Sequence, residues 1–486
     1  MNSKKEIILV YPDFRSSKVF SNPGLPVGLG YIARAIEIAG INYEVIDLNI
    51  DSKDYLIRTI HEFSPQLMGI SMLSYRCKET YVLLENLKYE FPQLQIIAGG
   101  PHITANREVV LMECTAIDLG VVMEGDSAIV EIIRGDSIPT IKGLLYRAEE
   151  AIKFTGERDF IFDLDQIPFP TYKGFKLEKY GRTMSIHSSR GCPYRCIFCG
   201  APRILGRKWR KRSAQSMKEE IIYWYKRRYR MFSFSDSNFL IDKKRIWEFC
   251  ESIIKSAMQI NFVVEGLRAN HVNRKLLQQM RRAGFTALTF GVESGSNMVL
   301  KNLKKEETRE EIESAIATAV DLGFHVILFF LIGSPGEEAA DILQSFQLSR
   351  KYKVAEVYFF NLTPIPGTEF YDWAIARGYL DERGTKYPEG NFGFQKCALL
   401  PTDTMTVEQL NYYIRLARRI ELQVRYKFFI DKLLNRDKTK ILFVNDRILN
   451  SLSWFISNPA IAPIFKILLF LVSVTLSLYR KTKWNY

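Results

Sequence analysis

Short apolar runs alternate with longer helical patterns twice along this chain, and that alternation limits the fold more than any single residue does. In the first series the apolar runs are Glu6–Tyr11, Tyr43–Leu48, Leu67–Ser71, Gln95–Ala98 and Leu119–Met123. Helical patterns lie between them near Gly28–Ala39, Tyr55–Glu62, Glu79–Tyr89 and Arg107–Glu113, and a last one follows at Ser127–Arg134. Runs of strand length separated by helices predict a parallel sheet covered on both faces. Ligands of such sheets sit at the strand carboxyl ends. Those ends carry small or polar residues here: Pro12-Asp13, Ser71 to Ser74, Gly99-Gly100-Pro101-His102 and Glu124-Gly125-Asp126. Gly143–Arg147 reads as a closing strand. The proline-bearing stretch after it reads as a linker whose Leu164–Tyr172 portion packs across both domains.

The second series has longer helices. Strands are expected at Thr183–Ser189, Met231–Ser235, Asn261–Leu267, Ala287–Gly291, His325–Leu331 and Glu356–Leu362. Helices are expected near Ala214–Arg227, Lys243–Ser256, Arg274–Ala283, Thr308–Leu322 and Glu338–Tyr352. Six β/α units in a row imply a partial (β/α)6 barrel, whose functional end is again the carboxyl end of its strands. The fold class is therefore α/β. A Rossmann-like domain spans 1–148, a linker 149–180 and a partial barrel 181–380. A mostly helical extension follows at 381–450, then an apolar tail at 451–486.

The first strand of the second series runs into Arg190-Gly191-Cys192-Pro193-Tyr194-Arg195-Cys196-Ile197-Phe198-Cys199-Gly200. Three thiols at C-x3-C-x2-C spacing on one loop can turn toward one point. A structural zinc site takes four protein ligands, and no fourth Cys or His lies nearby in sequence. Three thiolates suit a [4Fe-4S] cluster with one iron left open. The bland alternatives are three core cysteines or a zinc loop short of a ligand. The other cysteines, Cys77, Cys114, Cys250 and Cys397, stand singly on apolar or helical patterns and read as buried thiols. Seven cysteines so arranged are no disulfide framework, and an oxygen-sensitive cluster fits a reducing cytoplasm. The chain starts Met1–Lys5 and passes into Ile7–Val10 with no signal region.

The cysteine loop resembles the signature of the radical S-adenosylmethionine (SAM) superfamily. Two further stretches are similar to turns of the cobalamin-binding class: Gly291-Val292-Glu293-Ser294-Gly295, and Pro364-Ile365-Pro366-Gly367-Thr368. Pro26-x-Gly28-Leu29-Gly30-Tyr31 and the polar strand ends of the first domain resemble that class's cobalamin domain. The D-x-H-x-x-G loop of methionine-synthase-like domains is absent; Asp13 stands alone.

The resemblance implies three cofactors: a [4Fe-4S] cluster on Cys192, Cys196 and Cys199, SAM on its open iron, and cobalamin. Cleavage of SAM to a 5′-deoxyadenosyl radical is implied, then methyl transfer to an unactivated carbon. SAM contacts are expected from Ser235, Asp236, Glu265, Arg268, Glu293, Ser294 and Gly333. Ser235-Asp236 stands where the family usually has a Gly-Gly-Glu-like turn. Cobalamin contacts are expected from Asp13, Gly28, Ser71, Ser74, Gly99, Gly100, Pro101, His102, Glu124 and Gly125. The substrate is expected to be a small molecule or a lipid-linked one, and the reductant a flavodoxin- or ferredoxin-type protein. Cobalamin-linked ring formation or oxidation is a rival in the same superfamily. A tRNA methylthiotransferase is another, but it would carry further cluster cysteines near its N-terminus. A non-catalytic iron–sulfur scaffold would leave the SAM-side motifs idle.

The net charge of +13 points to an anionic partner: a membrane surface, a nucleic acid or a phosphorylated substrate. The basic run Gly206–Arg212 has one aromatic, Trp209. The resemblance makes it the lead into the first barrel helix, so no nucleic-acid partner is expected. Thr404–Phe429 reads as a helix with Leu410, Tyr413, Leu416, Ile420 and Val424 on its apolar face. In the tail, the uncharged run Ile467–Tyr479 gives a helix of only ~20 Å, short of the ~30 Å bilayer core. Its basic flanks favour a peripheral contact with the cytoplasmic membrane face; the alternative is a helix packed on the protein itself.

Overall fold

The computed structural model describes residues 6–13, 23–149, 151–380 and 397–434, with the backbone alone for 432–434. The apolar tail after Asn450, and the membrane contact expected of it, lie outside the described residues. Among the described residues no helix is long and apolar enough to cross a membrane.

The first domain is a seven-stranded sheet. β1 (Ile7–Tyr11), β2 (Tyr43–Asp47), β3 (Leu67–Ser71), β4 (Gln95–Gly99) and β5 (Leu119–Val121) are parallel in the order 2-1-3-4-5. β6 (Leu144–Ala148) and β7 (Ala151–Phe154) extend it antiparallel. β1 lies inside the sheet between β2 and β3, and its two faces enter different cores: Ile7 and Leu9 on one side, Ile8 and Val10 on the other, all nearly inaccessible. That explains why it reads as one unbroken apolar run. Strand order reverses between β1 and β3, so their carboxyl ends part and leave a crevice. The domain ends later than the expected residue 148. β7 pairs with β6, and Gly143 donates its N–H to Gly156 O at 2.8 Å. β7 is only four residues long and half-buried on one face, too short a run to stand out as a strand.

The second domain is an open parallel sheet of six strands. In order across it run β8 (Thr183–Ile186), β11 (Met231–Phe234), β12 (Asn261–Leu267), β13 (Phe285–Glu293), β14 (His325–Ile332) and β15 (Glu356–Asn361). Between β8 and β11 a two-residue ribbon, β9 (Ser189–Arg190) against β10 (Arg210–Lys211), closes the cysteine loop at its base. Alternation along the strands sorts the faces. Phe232, Phe234 and Phe262 point to the helix layer, where they meet Phe249 and Phe285 at ring separations of 4.7–6.0 Å. Ser233 and Glu265 point the other way and hydrogen-bond each other at 2.7 Å. Gly266, at φ +70, sits where the β12/β13 register slips. Such a bulge turns the strand end outward, and Glu265 is accordingly exposed.

The helix Val407–Leu434 covers the edge strand β15. Its buried stripe is Leu410, Ile414, Ala417, Ile420 and Val424; Tyr413 and Leu416, expected on it, flank the stripe. Glu421 accepts the Phe359 N–H at 2.7 Å, and Arg425 pairs with Glu356 at 2.9 Å. An otherwise open sheet edge is thereby closed.

The segment 158–180 joins the domains by packing, as expected of Leu164–Tyr172. Leu164 and Ile167 lie against Tyr31, and the Tyr172 ring meets Trp224 at 5.7 Å and Phe175 at 5.2 Å. A Cβ on Gly30 would stand 2.5 Å from Tyr172 Cε1 and 3.1 Å from Pro170 Cβ. Tyr172 is buried between those rings and cannot swing clear. Gly30→Ala should therefore destabilise the protein by ~1–3 kcal/mol through overpacking, read as a lower melting temperature. An unchanged melt would mean the segment does not clamp the domains.

Candidate active site

The cysteine loop is held at fixed points by bonds that leave the thiols free. Gly191, at φ +87, could not carry a side chain, since a Cβ would lie 2.2 Å from Lys208 O. Cys192 donates its N–H to Gly206 O at 3.0 Å, and Cys199 to Cys196 O at 3.2 Å. Ile197 donates to Leu303 O and accepts from Phe370 N. Asp236 braces the root of the loop. Its carboxylate takes the N–H groups of Ser188 (2.9 Å) and Ser189 and both their hydroxyls (3.0 and 2.7 Å). Asp236, expected on SAM, spends its buried carboxylate on these four donors and so braces the loop.

Two side chains donate to the thiols. Asn238 Nδ2 is 3.1 Å from Cys192 Sγ, and Arg268 Nη1 is 3.8 Å from Cys196 Sγ. Hydrogen bonds to cluster sulfurs tune their electronics. Burial raises the Cys199 thiol to about 11 and also raises Cys196, against the pull of Lys305 and Arg268. Among the described residues no three His, Cys, Asp or Glu side chains group as the ligands of a single ion would. A cubane, which takes one thiolate at each of three corners, holds them further apart. The loop's donors, spacing and closure fit a [4Fe-4S] cluster.

Arg268 is also spent largely on the loop. Its Nη2 donates to the Lys305 and Glu306 carbonyls, and its guanidinium stacks 3.6 Å over Tyr194. Only Nε, buried, lacks a partner. Ser294, expected on SAM, turns away from the mouth to Ser345 at 3.4 Å. Glu293 does face the mouth, at φ +63, and pairs with buried Lys305 at 3.0 Å. Its carboxylate folds over Gly291, where a Cβ would lie 2.6 Å from Oε1. At the end of β14, Gly333 (φ +96) and Ser334 donate their N–H groups to Glu337 at 2.7 and 3.2 Å. Ser334 Oγ, Glu337 Oε1 and Asn361 Nδ2 are buried without a partner. Buried polar atoms are rarely left so, and these strand-end orphans fit a polar ligand such as SAM.

A cavity of about 350 Å³ lies where the carboxyl ends of both sheets meet. From the first domain Gly28, Ser71, Gly99, Gly100, Pro101, Glu124 and Gly125 line it, all expected. It reaches down between the strands past Gly69, where any larger side chain would press on Leu9. A crevice at the switch point, floored by glycine, fits cobalamin. Three expected contacts are elsewhere. His102 is fully buried, with one ring nitrogen on Tyr81 OH (2.6 Å) and the other facing Ser74 Oγ (3.0 Å) and Asn106 (3.1 Å). Burial lowers its pKa to about 4. Both ring nitrogens are engaged within the protein, and Ser74 is occupied with His102. Asp13 stands 4.0 Å from Arg76, outside the lining. Glu124, though in the wall, is held by Arg210 (2.8 and 3.0 Å) and Arg190 (3.0 Å).

From the second domain Ser235, expected on SAM, lines this cavity, with His187, Ser189, Arg190 and Ser237. His187 was not foreseen, since a lone His in a strand reads as core; its place just before the cysteine loop was the available signal. Asn238 and Lys305 were missed too, because neither stands in a recognised motif.

A six-stranded open barrel with three cysteines after its first strand, joined to a doubly wound domain by a shared cavity, defines a two-domain radical enzyme. Residues 186–349 match the model of the Radical SAM superfamily, and residues 18–133 match that of the B12 binding domain. The chain is thus a radical SAM protein with a B12-binding domain, and its cofactors are a [4Fe-4S] cluster, SAM and cobalamin. An uncharacterized methyltransferase of Pyrococcus horikoshii is 28% identical over 390 residues, 77% of this chain and 84% of that one. Cytidylyl-2-hydroxyethylphosphonate methyltransferase of Streptomyces wedmorensis is 25% identical over 431 residues, 74% and 80% of the two chains. Anaerobic magnesium-protoporphyrin IX monomethyl ester cyclase of Synechocystis is 25% identical over 382 residues, 74% and 75%. The radical S-adenosylmethionine methyltransferase TsrM from Kitasatospora setae, solved with cobalamin and [4Fe-4S] cluster, shares the fold. Its TM-score is 0.67 at 19% identity, over 77% of this chain and 75% of that one.

Asp236→Asn should lower iron per chain, because an amide offers one acceptor to four donors. If Asp236 bound SAM instead, iron would stay full and only SAM affinity would fall. Glu337 gives a pH prediction. Burial raises its pKa from the usual 4.5 to about 8, against the pull of the Gly333 and Ser334 N–H groups. Between those values the unfolded chain has lost the proton and the folded protein keeps it, so stability falls as pH rises from about 4.5 to about 8. Glu337→Gln should remove that loss. The variant's melting temperature should gain on wild type steadily between pH 5 and pH 8; parallel curves would refute the assignment.

Proposed function

We propose that this protein is a cobalamin-dependent radical SAM methyltransferase acting on an unactivated carbon of a small molecule. The observation that carries the reading is the shared cavity: Ser71, Gly99 and Pro101 face His187, Ser189 and Ser235 across one space, beside the cysteine loop. When bound, the cluster with SAM supplies a carbon-centred radical and cobalamin supplies a methyl group. Cys192, Cys196 and Cys199 hold the cluster, while Asn238 and Arg268 donate to its thiolates. Glu265, the Glu293–Lys305 pair, Gly333, Ser334 and Asn361 bind and orient SAM at the barrel mouth. Gly99, Gly100 and Pro101 let backbone approach the corrin closely, and Ser71 offers it a hydroxyl. The Tyr31 and Arg190 side chains, stacked at 4.7 Å, form part of the cavity wall. A flavodoxin- or ferredoxin-type protein supplies the electron.

The methyltransferases among the relatives support methylation. The cyclase relative favours a second reading, radical ring formation without methyl transfer. Products separate the two. Methylation consumes SAM twice, so anaerobic turnover should release 5′-deoxyadenosine and S-adenosylhomocysteine, the latter only with cobalamin supplied. Protein that holds cobalamin yet yields 5′-deoxyadenosine alone would favour the cyclase-like reading. Replacing Cys192, Cys196 and Cys199 together by Ala should abolish iron loading and 5′-deoxyadenosine, while Cys250→Ala, buried in a helix, should do neither.

A further inference from the structure

We propose that the amino-terminal end of the barrel strands, opposite the mouth, is a docking surface for an anionic lipid bilayer. In a parallel sheet each connecting helix returns the chain to that end, so the helix-to-strand turns gather there. These turns are rich in cations. The helix Ala214–Lys226 ends on Lys226, and Arg227, Arg228 and Arg230 follow, all exposed. Met231 pairs with Thr183 across β11 and β8, so exposed Arg182 stands beside Arg230. Around the turns into β12, β13 and β15 lie exposed Lys255, Arg282 and Lys353. Among the described residues none of these cations is ion-paired. Asp321 and Glu356, which flank the turns into β14 and β15, are already taken by Arg274 and Arg425.

Helix dipoles account for only part of this. A cation in the last turn offsets the dipole, which covers Lys226, Lys255 and Arg282. Arg182, Arg230 and Lys353 stand beyond any last turn. Arg228 takes the left-handed conformation, φ +69, just past the helix cap, where glycine is the usual residue. Its side chain makes no bond to the protein among the described residues. Arg227 and Arg230 lie over the rings of Tyr223 and Tyr225, at 3.5 and 3.8 Å. The rings fix the guanidiniums without neutralising them. Cations beside tyrosine rings suit the headgroup layer of a bilayer.

Charge alone would serve a nucleic acid equally well, but the path of the chain favours lipid. The helix Val407–Leu434 starts near the mouth, where Thr404 Oγ1 donates to Glu337 O at 2.5 Å. It runs down the sheet edge to the basic end, where Phe428 meets His325 at 5.4 Å. The sequence that continues from it carries the uncharged apolar run 467–479 between basic flanks. A bilayer takes both cations and an apolar segment; a nucleic acid takes only the cations. β13 has nine residues, and at ~3.3 Å per residue the mouth stands ~25–30 Å from this face. Lipid bound here leaves the mouth open to the water side.

The test floats the full chain with vesicles of equal parts phosphatidylcholine and phosphatidylserine, and with vesicles of phosphatidylcholine alone. Wild type should bind the anionic vesicles at least tenfold more tightly, and added salt should weaken that binding. Lys226→Glu/Arg228→Glu should lose at least tenfold in affinity for them. Arg207→Glu/Lys208→Glu makes the same charge change at the mouth end and should bind as wild type. Arg228→Gly should bind less tightly while its melting temperature equals or exceeds that of wild type, because glycine suits the left-handed position. It carries the test should the first double variant misfold. Equal losses in the two double variants would mean that net charge alone acts, and would overturn the proposal. So would unchanged binding in Lys226→Glu/Arg228→Glu, which would leave the apolar run as the anchor. Wild type that ignores anionic vesicles but binds RNA through these residues overturns the lipid reading. None of these outcomes depends on the cluster or on cobalamin.

Discussion

Glu124 is the hinge of the whole arrangement. It ends the β5 region of the first domain and takes Arg190 and Arg210, the first residue pair of the ribbon that closes the cysteine loop. All three side chains are largely buried, and Arg210 is only 1% exposed. Burial alone would raise the carboxyl's pKa, but the two guanidiniums outweigh it and hold Glu124 below its ordinary range. A buried pair of this kind contributes little net stability compared with apolar packing, because desolvation offsets attraction. Removing one member, however, leaves an uncompensated charge in a dry place. The triad therefore acts less as glue than as a register pin. The cluster loop has one low-energy position relative to the cobalamin domain, and any slip strands a charge. Asp126, 3.4 Å from Arg190, adds to the same constraint.

From that pin the rest of the loop follows. The ribbon brings Lys208 so close to Gly191 that only glycine fits, and Asp236 gathers the backbone at Ser188 and Ser189 from the other side. Arg212, one residue past the ribbon, enters the helix layer to pair with Glu220, and Arg245 lies 5.3 Å over Trp209. The run of cations from Arg207 to Arg212, which in sequence looks like one basic patch, is divided by this geometry. Arg210 and Arg212 are internal and paired, while Arg207 and Lys208 stay outside with their charges free for other work. Alternation along the ribbon turns Lys211 outward between Arg210 and Arg212, while Arg207 and Lys208 precede the strand.

This is also where sequence reading reached its limit. The strand and helix series was legible almost to the residue, because each element buries one periodic face; the helix Lys243–Ser256 has the bounds that its pattern indicated. The cysteines, Gly99, Gly100 and Ser235 stood out as candidates because they sit at strand ends, a rule of topology; Gly28, in the first turn of a helix, stood out only by resemblance. The polar side chains were not legible. Asp236, Ser294 and His102 stand at the right places in sequence, but each points at a protein partner instead of a ligand. Spacing tells where a residue is, not which of two nearby polar groups its side chain satisfies. Lys305 shows the reverse. It lies in a run of charged residues that reads as solvated surface, yet it is buried between Glu293 at 3.0 Å and Glu307 at 3.4 Å.

The Lys305 pairings bear on how two reactive spaces can share one mouth. Lys305 and Arg268 bring two positive charges near Cys196, and Glu293 and Glu307 bring two negative ones. The four neutralise one another, so the mouth is polar without a strong field of its own. Cations left unpaired beside the thiols would favour anions in general. A balanced set, fixed by hydrogen bonds, can instead select by geometry, accepting a ligand that carries both an ammonium and a carboxylate. Glu293 gives up ordinary backbone geometry for this role. A positive φ in a non-glycine residue costs on the order of 1 kcal/mol or more, and here the Lys305 pair and the bare Cα of Gly291 make room for it. Strain accepted at one strand end, with a glycine two residues before it to receive the carboxylate, is consistent with the SAM-binding role proposed for Glu293.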